Sequence, residues 1–371
     1  MEHLHLARAV VLLVTFFSCS LSAQQPVAWH DPSPHAIKLV TVDKKVKLEV
    51  LDWGGSGRPL VLLAGLGDTA HVFDDFAPKL TSEYHVYGIT RRGFGASSIP
   101  ASGYSADRLG DDVLAVLDTL KIDRPVLVGH SIAGGELSSV GTRYPGRIAG
   151  LIYLEAAYAQ AYYDTSLGNF YVDLPELQKK LERLRSTNRL TDQKPLIQEL
   201  MQTILPRFEQ EMKNQQELPP ETVLPDPAPA DLESYQALRS WENRVYGEAE
   251  PEADLRQTHE PAPDNHVGPE KPTDAQEYAI LSGQHKYTDI RVPVLAIFAF
   301  PRDLGPFVNS HPTALAAFQP SEIVSEAEVN AFEAGVPSAR VVRIAHASHY
   351  VFITNEADVL REMHAFIADL H

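Results

Sequence analysis

The chain predicts an α/β architecture in which a mostly parallel sheet carries helices on both faces and is interrupted by an inserted helical segment. Three observations lead there. Short apolar runs of strand length alternate with amphipathic stretches of helical period. One such run, in PVLVGHSIAGGE at Pro125–Glu136, stops at a serine set among small residues. From about Ala157 to Thr288 the alternation gives way to a polar, proline-containing stretch, after which the strand signature returns.

In chain order, Lys45–Trp53 alternates like a half-exposed strand, and Gly54–Pro59 makes a turn. Leu60–Ala64 is continuously apolar, as a strand buried on both faces should be. His85–Ile89 is a third strand, ending at the glycine-punctuated loop Arg91-Arg92-Gly93-Phe94-Gly95. Ser105 caps a helix whose apolar positions Leu109, Val113, Leu114, Val116, Leu117 and Leu120 recur at helical spacing. The strand before Ser131 follows, then a helix over Gly135–Tyr144 stopped by Pro145-Gly146, then a strand over Ala149–Leu154.

Within the polar stretch, amphipathic helices are expected around Leu174–Ser186 and Lys194–Lys213, with LPPETVLPDPAPADLE as an extended connector. Val292–Phe298 and Ala339–Ala345 restore the sheet pattern. Thr354–Leu370 closes the chain as a helix with acidic residues in its first turn. The boundaries read as a signal peptide over 1–23, a first core part over 24–157, a helical cap insertion over 158–286 and a second core part over 287–371.

Composition excludes several classes. With 32 Lys and Arg against 49 Asp and Glu, the formal charge is -17, which disfavours a nucleic-acid or anionic-membrane partner. The opening segment places Arg8 before an apolar run, Ala9–Phe17, and then small residues through Ala23, the pattern of an export signal too short to span a bilayer. The expected location is therefore periplasmic or extracellular, without stable membrane insertion. The single cysteine, Cys19, lies in that segment, so the remainder has no thiol for a disulfide, and Phe16-Phe17-Ser18 is a poor approach to a lipid-attachment site. No histidine and carboxylate spacing matches a metal motif and no phosphate-cradling glycine loop is present, so neither a metal nor a cofactor is expected.

The chemistry centres on Ser131. A serine hydroxyl is a weak nucleophile at neutral pH and needs a base in reach and a third group to orient that base. A tight turn between strand and helix exposes its oxygen and demands small neighbours, which the flanking glycines and Ala133 supply; the bland alternative is a helix-capping serine. Further on, Asp303 lies in the loop after one buried strand and His349 in the loop before the final helix. Serine, acid and histidine in that order suit the carboxyl ends of one parallel sheet. His349 is preferred over His346 as base, and Asp303 over Glu155, which follows the Ala149–Leu154 strand, as acid. The backbone N–H groups of Ile132 and Leu66 are the candidate oxyanion donors.

These residues resemble the α/β-hydrolase superfamily. Gly129-His130-Ser131-Ile132-Ala133-Gly134 is similar to its nucleophile elbow, with Ala133 where the pattern has a second glycine. Arg92–Ser97 is similar to its arginine-glycine loop, and Val292–Asp303 to its acid-bearing strand. The resemblance covers roughly Lys45–Tyr158 and Tyr287–His371. It implies a serine hydrolase that cleaves a small-molecule carboxylic ester, thioester or lactone through an acyl-enzyme. The alternatives are an aminopeptidase or amidase of the same fold and a non-catalytic small-molecule-binding protein. Aromatic residues Tyr158, Tyr162, Tyr163, Phe170, Tyr171 and Trp241 either line a cavity or pack the insertion on the core; the substrate and oligomeric state are not readable.

Overall fold

Alternation along the central strands shows how the sheet is buried. In the strand Arg58–Leu63, Val61 and Leu63 point into one apolar cluster and Leu60 and Leu62 into another; Leu151 and Tyr153 divide from Ile152 and Leu154 in the same way. Period-2 side chains that are apolar on both sides require cover on both faces. One cluster includes Leu117, Leu137 and Phe332, the other Phe73, Phe352 and Met363.

The computed structural model describes residues 29–214 and 224–371. The export signal expected over residues 1–23, with Cys19, lies outside the described residues, as does the start of the proline-rich connector. Pro32–His371 forms one compact unit, to which everything below refers.

Strands β1 (Ala36–Asp43), β2 (Val46–Gly54), β3 (Arg58–Leu63) and β4 (Tyr84–Ile89) precede helix α1 (Ala106–Leu120). Then come β5 (Val126–His130), α2 (Gly134–Arg143) and β6 (Gly150–Leu154). The insertion holds α3 (Phe170–Ser186), α4 (Leu190–Glu199), a π-helical turn, α5 (Leu205–Asn214), α6 (Tyr235–Val245), α7 (Glu252–Thr258), the hairpin β7 (His259–Pro261) and β8 (Val267–Glu270), and α8 (Asp274–Ser282). The core resumes with β9 (Val294–Ala299), α9 (Gly305–Ser310), α10 (Pro312–Gly335), β10 (Ala339–Ile344), α11 (Val351–Thr354) and α12 (Glu356–Ala368). The main sheet runs β1-β2-β4-β3-β5-β6-β9-β10. Its first two strands are antiparallel, and β4 onward is parallel throughout.

Most elements fall where the periodicity puts them. Ser105 caps α1 by accepting from the Arg108 N–H, and Lys121 ends it in the left-handed region at φ 56°. The periodicity did not give α6, α7, α8, α9 or the β7–β8 hairpin, and three further elements differ. Strand β1 buries only Val40, so it carries no alternation to read. Helix α10 has apolar and polar residues mixed around its girth and buries only Ala314, Val329 and Phe332. The expected closing helix is two, α11 and α12, broken at Asn355.

The insertion builds small cores of its own. Leu200, Ile204 and Phe208 pack with Phe170, Leu177 and Leu184, while Tyr235, Leu238, Leu255 and Val267 pack with Leu232 and Trp241. Helix α7 ties the insertion to the sheet: the N–H and Oγ1–H of Thr69 donate to Asp254 Oδ1 at 3.0 and 2.5 Å.

Candidate active site

All the candidate side chains sit beyond the carboxyl ends of parallel strands, where ligands bind in such sheets. Ser131 follows β5 with φ 54°, a left-handed conformation that costs a non-glycine residue strain and that persists only where the surroundings enforce it. The enforcement is visible at Gly134, where a Cβ would lie 1.9 Å from the Ala156 carbonyl oxygen. Only glycine lets α2 start so close to the end of β6. Ala133, where the superfamily pattern has a glycine, is fully buried and fits the turn.

Glu155 follows β6, also left-handed at φ 50°, and is completely buried. Its carboxylate is saturated. Oε1 accepts from the Ala299 N–H at 2.6 Å and the Tyr158 hydroxyl at 2.7 Å. Oε2 accepts from the Arg302 guanidinium at 2.7 Å and from His349 Nδ1 at 3.2 Å. Burial alone would raise the carboxyl pKa, but the bond to His349 and the charge of Arg302 outweigh it and hold the group below the ordinary carboxylate range. An ionised carboxylate only accepts, so the proton of neutral His349 sits on Nδ1 and Nε2 keeps its lone pair. The ring's own pKa is lowered, chiefly by burial and further by His130 and Arg302; the bond to Glu155 offsets part of this.

The preferred acid, Asp303, is not brought to the histidine. Its Oδ1 accepts from the Gly305 N–H at 2.9 Å and from Asn309 Nδ2 at 2.6 Å, fastening the entrance to α9. The carboxylate that meets His349 is the alternative, Glu155. The Ala299 N–H, Tyr158 and Arg302 hold Glu155 against His349, while Gly305 and Asn309 hold Asp303 at the start of α9. His346 is exposed, with φ 59°. His349 instead packs its ring on His130, centroids 4.7 Å apart, directly before Ser131, and accepts at its carbonyl from His130 Nε2 at 3.0 Å.

Leu66 and Ile132, the residues of the two proposed donor N–H groups, pack against the same small cluster of Phe94, Tyr104, Leu109 and Ile280. Arg91 holds them together, a part the sequence reading did not give it. Its guanidinium donates to the carbonyls of Ala64 and Gly65, each at 2.8 Å, and pairs with buried Glu136 of α2. Arg302 and Tyr158 are likewise missed; their signal is faint, an arginine next to Asp303 and a tyrosine three residues past Glu155.

A cavity of about 590 Å³ opens beside these residues between core loops and insertion. Leu66, Asp303 and His349 line it; half-buried Ser131 does not, although Tyr350, which does, packs its ring 4.8 Å from that of His130. Of the six aromatics weighed from sequence, Trp241 alone is in the lining, while Tyr158 and Tyr162 pack on the core.

Comparison with known proteins agrees with this frame. Over 101 residues the chain is 26% identical to a 2-(acetamidomethylene)succinate hydrolase of Mesorhizobium japonicum, spanning 27% of this chain and 36% of that one. Over 121 residues it is 30% identical to a putative non-heme haloperoxidase of Mycobacterium phage D29, spanning 32% and 44%. The chain thus matches less than half the length of these curated relatives. Among solved structures, an E-2-(acetamidomethylene)succinate hydrolase superposes with a TM-score of 0.56 at 17% identity, covering 90% of this chain and 99% of that one. A thermophilic esterase from Thermogutta terrifontis gives 0.52 at 18% identity, covering 91% and 99%. A family model described as the alpha/beta hydrolase fold matches residues 58–356, and the chain belongs to that family.

Proposed function

We propose that the protein is a serine hydrolase that cleaves small-molecule carboxylic esters, thioesters or lactones through an acyl-enzyme on Ser131. The observation that carries this reading is left-handed Ser131 at the turn from β5 to α2, next to His130, on whose ring His349 packs while its Nδ1 bonds buried Glu155. His349 Nε2 takes the Ser131 proton, and Glu155, in place of Asp303, holds the imidazole in the required tautomer and balances the imidazolium that forms. The N–H groups of Ile132 and Leu66 receive the developing oxyanion, and Arg91 fixes the loop that presents one of them. The imidazolium gives its proton to the departing alcohol, thiol or lactone alkoxide as the bond from the acyl carbon to that group breaks and the acyl-enzyme forms; water then attacks with the again neutral His349 as base, and that proton returns to Ser131 as the acid product leaves.

The location proposed is outside the cytoplasm, on the strength of the opening segment. The test is hydrolysis of 4-nitrophenyl butyrate: wild-type protein turns it over, and Ser131→Ala loses about 10³-fold or more in kcat. Equal rates would overturn the reading.

A further inference from the structure

The cavity beside His349 carries an electrostatic imbalance that ester hydrolysis does not use. Seven of its lining residues are carboxylic acids, and its lysine and arginine are both engaged: Lys271 Nζ donates to the Gln257 carbonyl at 2.6 Å, and Arg302 serves Glu155. At one end, carboxylate oxygens of Asp68, Glu250 and Asp254 all lie within 4.8 Å of one another. Tyr350 Oη sits 3.1 Å from Asp68 Oδ1 and 3.2 Å from Glu250 Oε1, and its single proton cannot serve both.

Two of the acids that line the cavity have unmet acceptors. Asp68 is 5% exposed and lines the cavity, yet its Oδ2 has no hydrogen-bond partner among the described residues; Glu248 Oε2, also buried, has none either. The nearest ring nitrogen to Asp68 Oδ2, His130 Nδ1, is 3.8 Å away and itself unpartnered. Buried acceptors left without donors are costly, and the cost is relieved when a ligand brings the donors. We infer that this cavity receives a protonated amine on the substrate, an ammonium group attracted by its acidic lining, Asp68, Glu248 and Glu250 among it. The inference rests on the hydrolytic reading of Ser131 and names its substrate class.

A metal ion fits less well. Asp254, one of the three clustered acids, accepts from Thr69 at Oδ1, has no partner at Oδ2 among the described residues and does not line the cavity, and three carboxylates fall short of the six to eight oxygens that calcium takes. Anionic substrates meet repulsion. Burial in company pushes Glu242 up to about 8 and Glu248 up to about 7, as expected of carboxylates short of cations.

Three ethyl esters of matched size test this in a pH-stat at pH 7: ethyl 3-aminopropanoate (cation), ethyl butanoate (neutral) and monoethyl succinate (anion). The expected order of kcat/KM is cation over neutral by about tenfold or more, and neutral over anion. Glu248→Gln and Glu250→Gln bring the cation-to-neutral ratio toward one. A ratio of one or below in wild type overturns the inference and leaves the hydrolase reading standing. If no ester is cleaved, that reading fails, and calorimetric titration of n-propylammonium chloride against 1-propanol decides the inference alone: saturable binding of the amine only supports it, and no binding overturns it. Saturable calcium binding that Asp254→Asn abolishes, with no amine binding, assigns the cluster to a metal and overturns it too.

Discussion

His349 Nδ1 donates to Glu155 Oε2 at 3.2 Å, while Asp303, in the loop where the acid was expected, binds Gly305 and Asn309 instead. The two carboxylates therefore make opposite predictions. Glu155→Gln removes the charge that balances the imidazolium and lets the ring turn to the wrong tautomer; kcat on 4-nitrophenyl butyrate is expected to fall about 10³–10⁴-fold. Asp303→Asn disturbs one loop and is expected to stay within about fivefold of wild type. Steady-state kinetics on the two variants separates them.

The pH profile follows from the same pair. In the proposed mechanism neutral His349 is the active form, and burial lowers its pKa, so activity is expected to persist further into acid than an ordinary histidine near ~6.5 would allow. The acidic limb of kcat/KM is expected to have its midpoint below that value. In Glu155→Gln the offsetting bond is gone and the midpoint moves lower still. A wild-type midpoint above ~6.5 would contradict the geometry.

Arg91 joins the proposed oxyanion loop to α2 through the carbonyls of Ala64 and Gly65 and through Glu136. Arg91→Ala leaves Glu136 buried without its partner, a change that costs about 3–5 kcal/mol in comparable pairs, and its melting temperature should drop clearly. Arg91→Lys keeps the charge but cannot fork to both carbonyls. It is expected to fold, with kcat lowered about tenfold or more and KM little changed, the signature of a loosened oxyanion loop.

How much of this was legible differs by element. The strands β3, β5, β6 and β9 were readable because each is buried on both faces over most of its length and so carries a run of apolar residues. Strand β1 was not, since as an edge it pairs its backbone with β2 while seven of its eight side chains escape burial. Ser131, His349, Leu66 and Ile132 were proposed because turn chemistry and chain order constrain them locally, and the fold sets all four beyond the carboxyl ends of the parallel strands. The acid could not: choosing between Glu155 and Asp303 depends on which loop leans over His349, which the Ala299 N–H, Tyr158 and Arg302 decide by gathering around Glu155. The acidic end of the cavity was invisible for the same reason. Asp68 comes from the core and Glu248 and Glu250 from the insertion, and only the fold joins them.

Thermal stability should fall as the medium becomes alkaline. Burial pushes Glu242 up to about 8 and Glu248 and Glu328 up to about 7. Acids raised in the folded state contribute stability fully below their unfolded pKa near ~4.5 and lose it as pH climbs to the folded value. His71, which burial would lower, is instead pushed up to about 10 by Asp74 and Glu49, so its contribution is complete below ~6.5 and is lost by the time pH passes 10. His349 and His259, lowered by burial, act the other way, but only around and below ~6.5. Calorimetry is expected to give a lower melting temperature near ~pH 9 than near ~pH 6.

The most direct measurement is covalent. Incubation of the intact protein with a fluorophosphonate, followed by peptide mass mapping, is expected to yield one adduct, on the peptide containing Ser131, formed more slowly in Glu155→Gln and absent from Ser131→Ala. A wild-type protein that hydrolyses 4-nitrophenyl butyrate yet takes up no label at Ser131, or takes it up at another serine, would contradict the account.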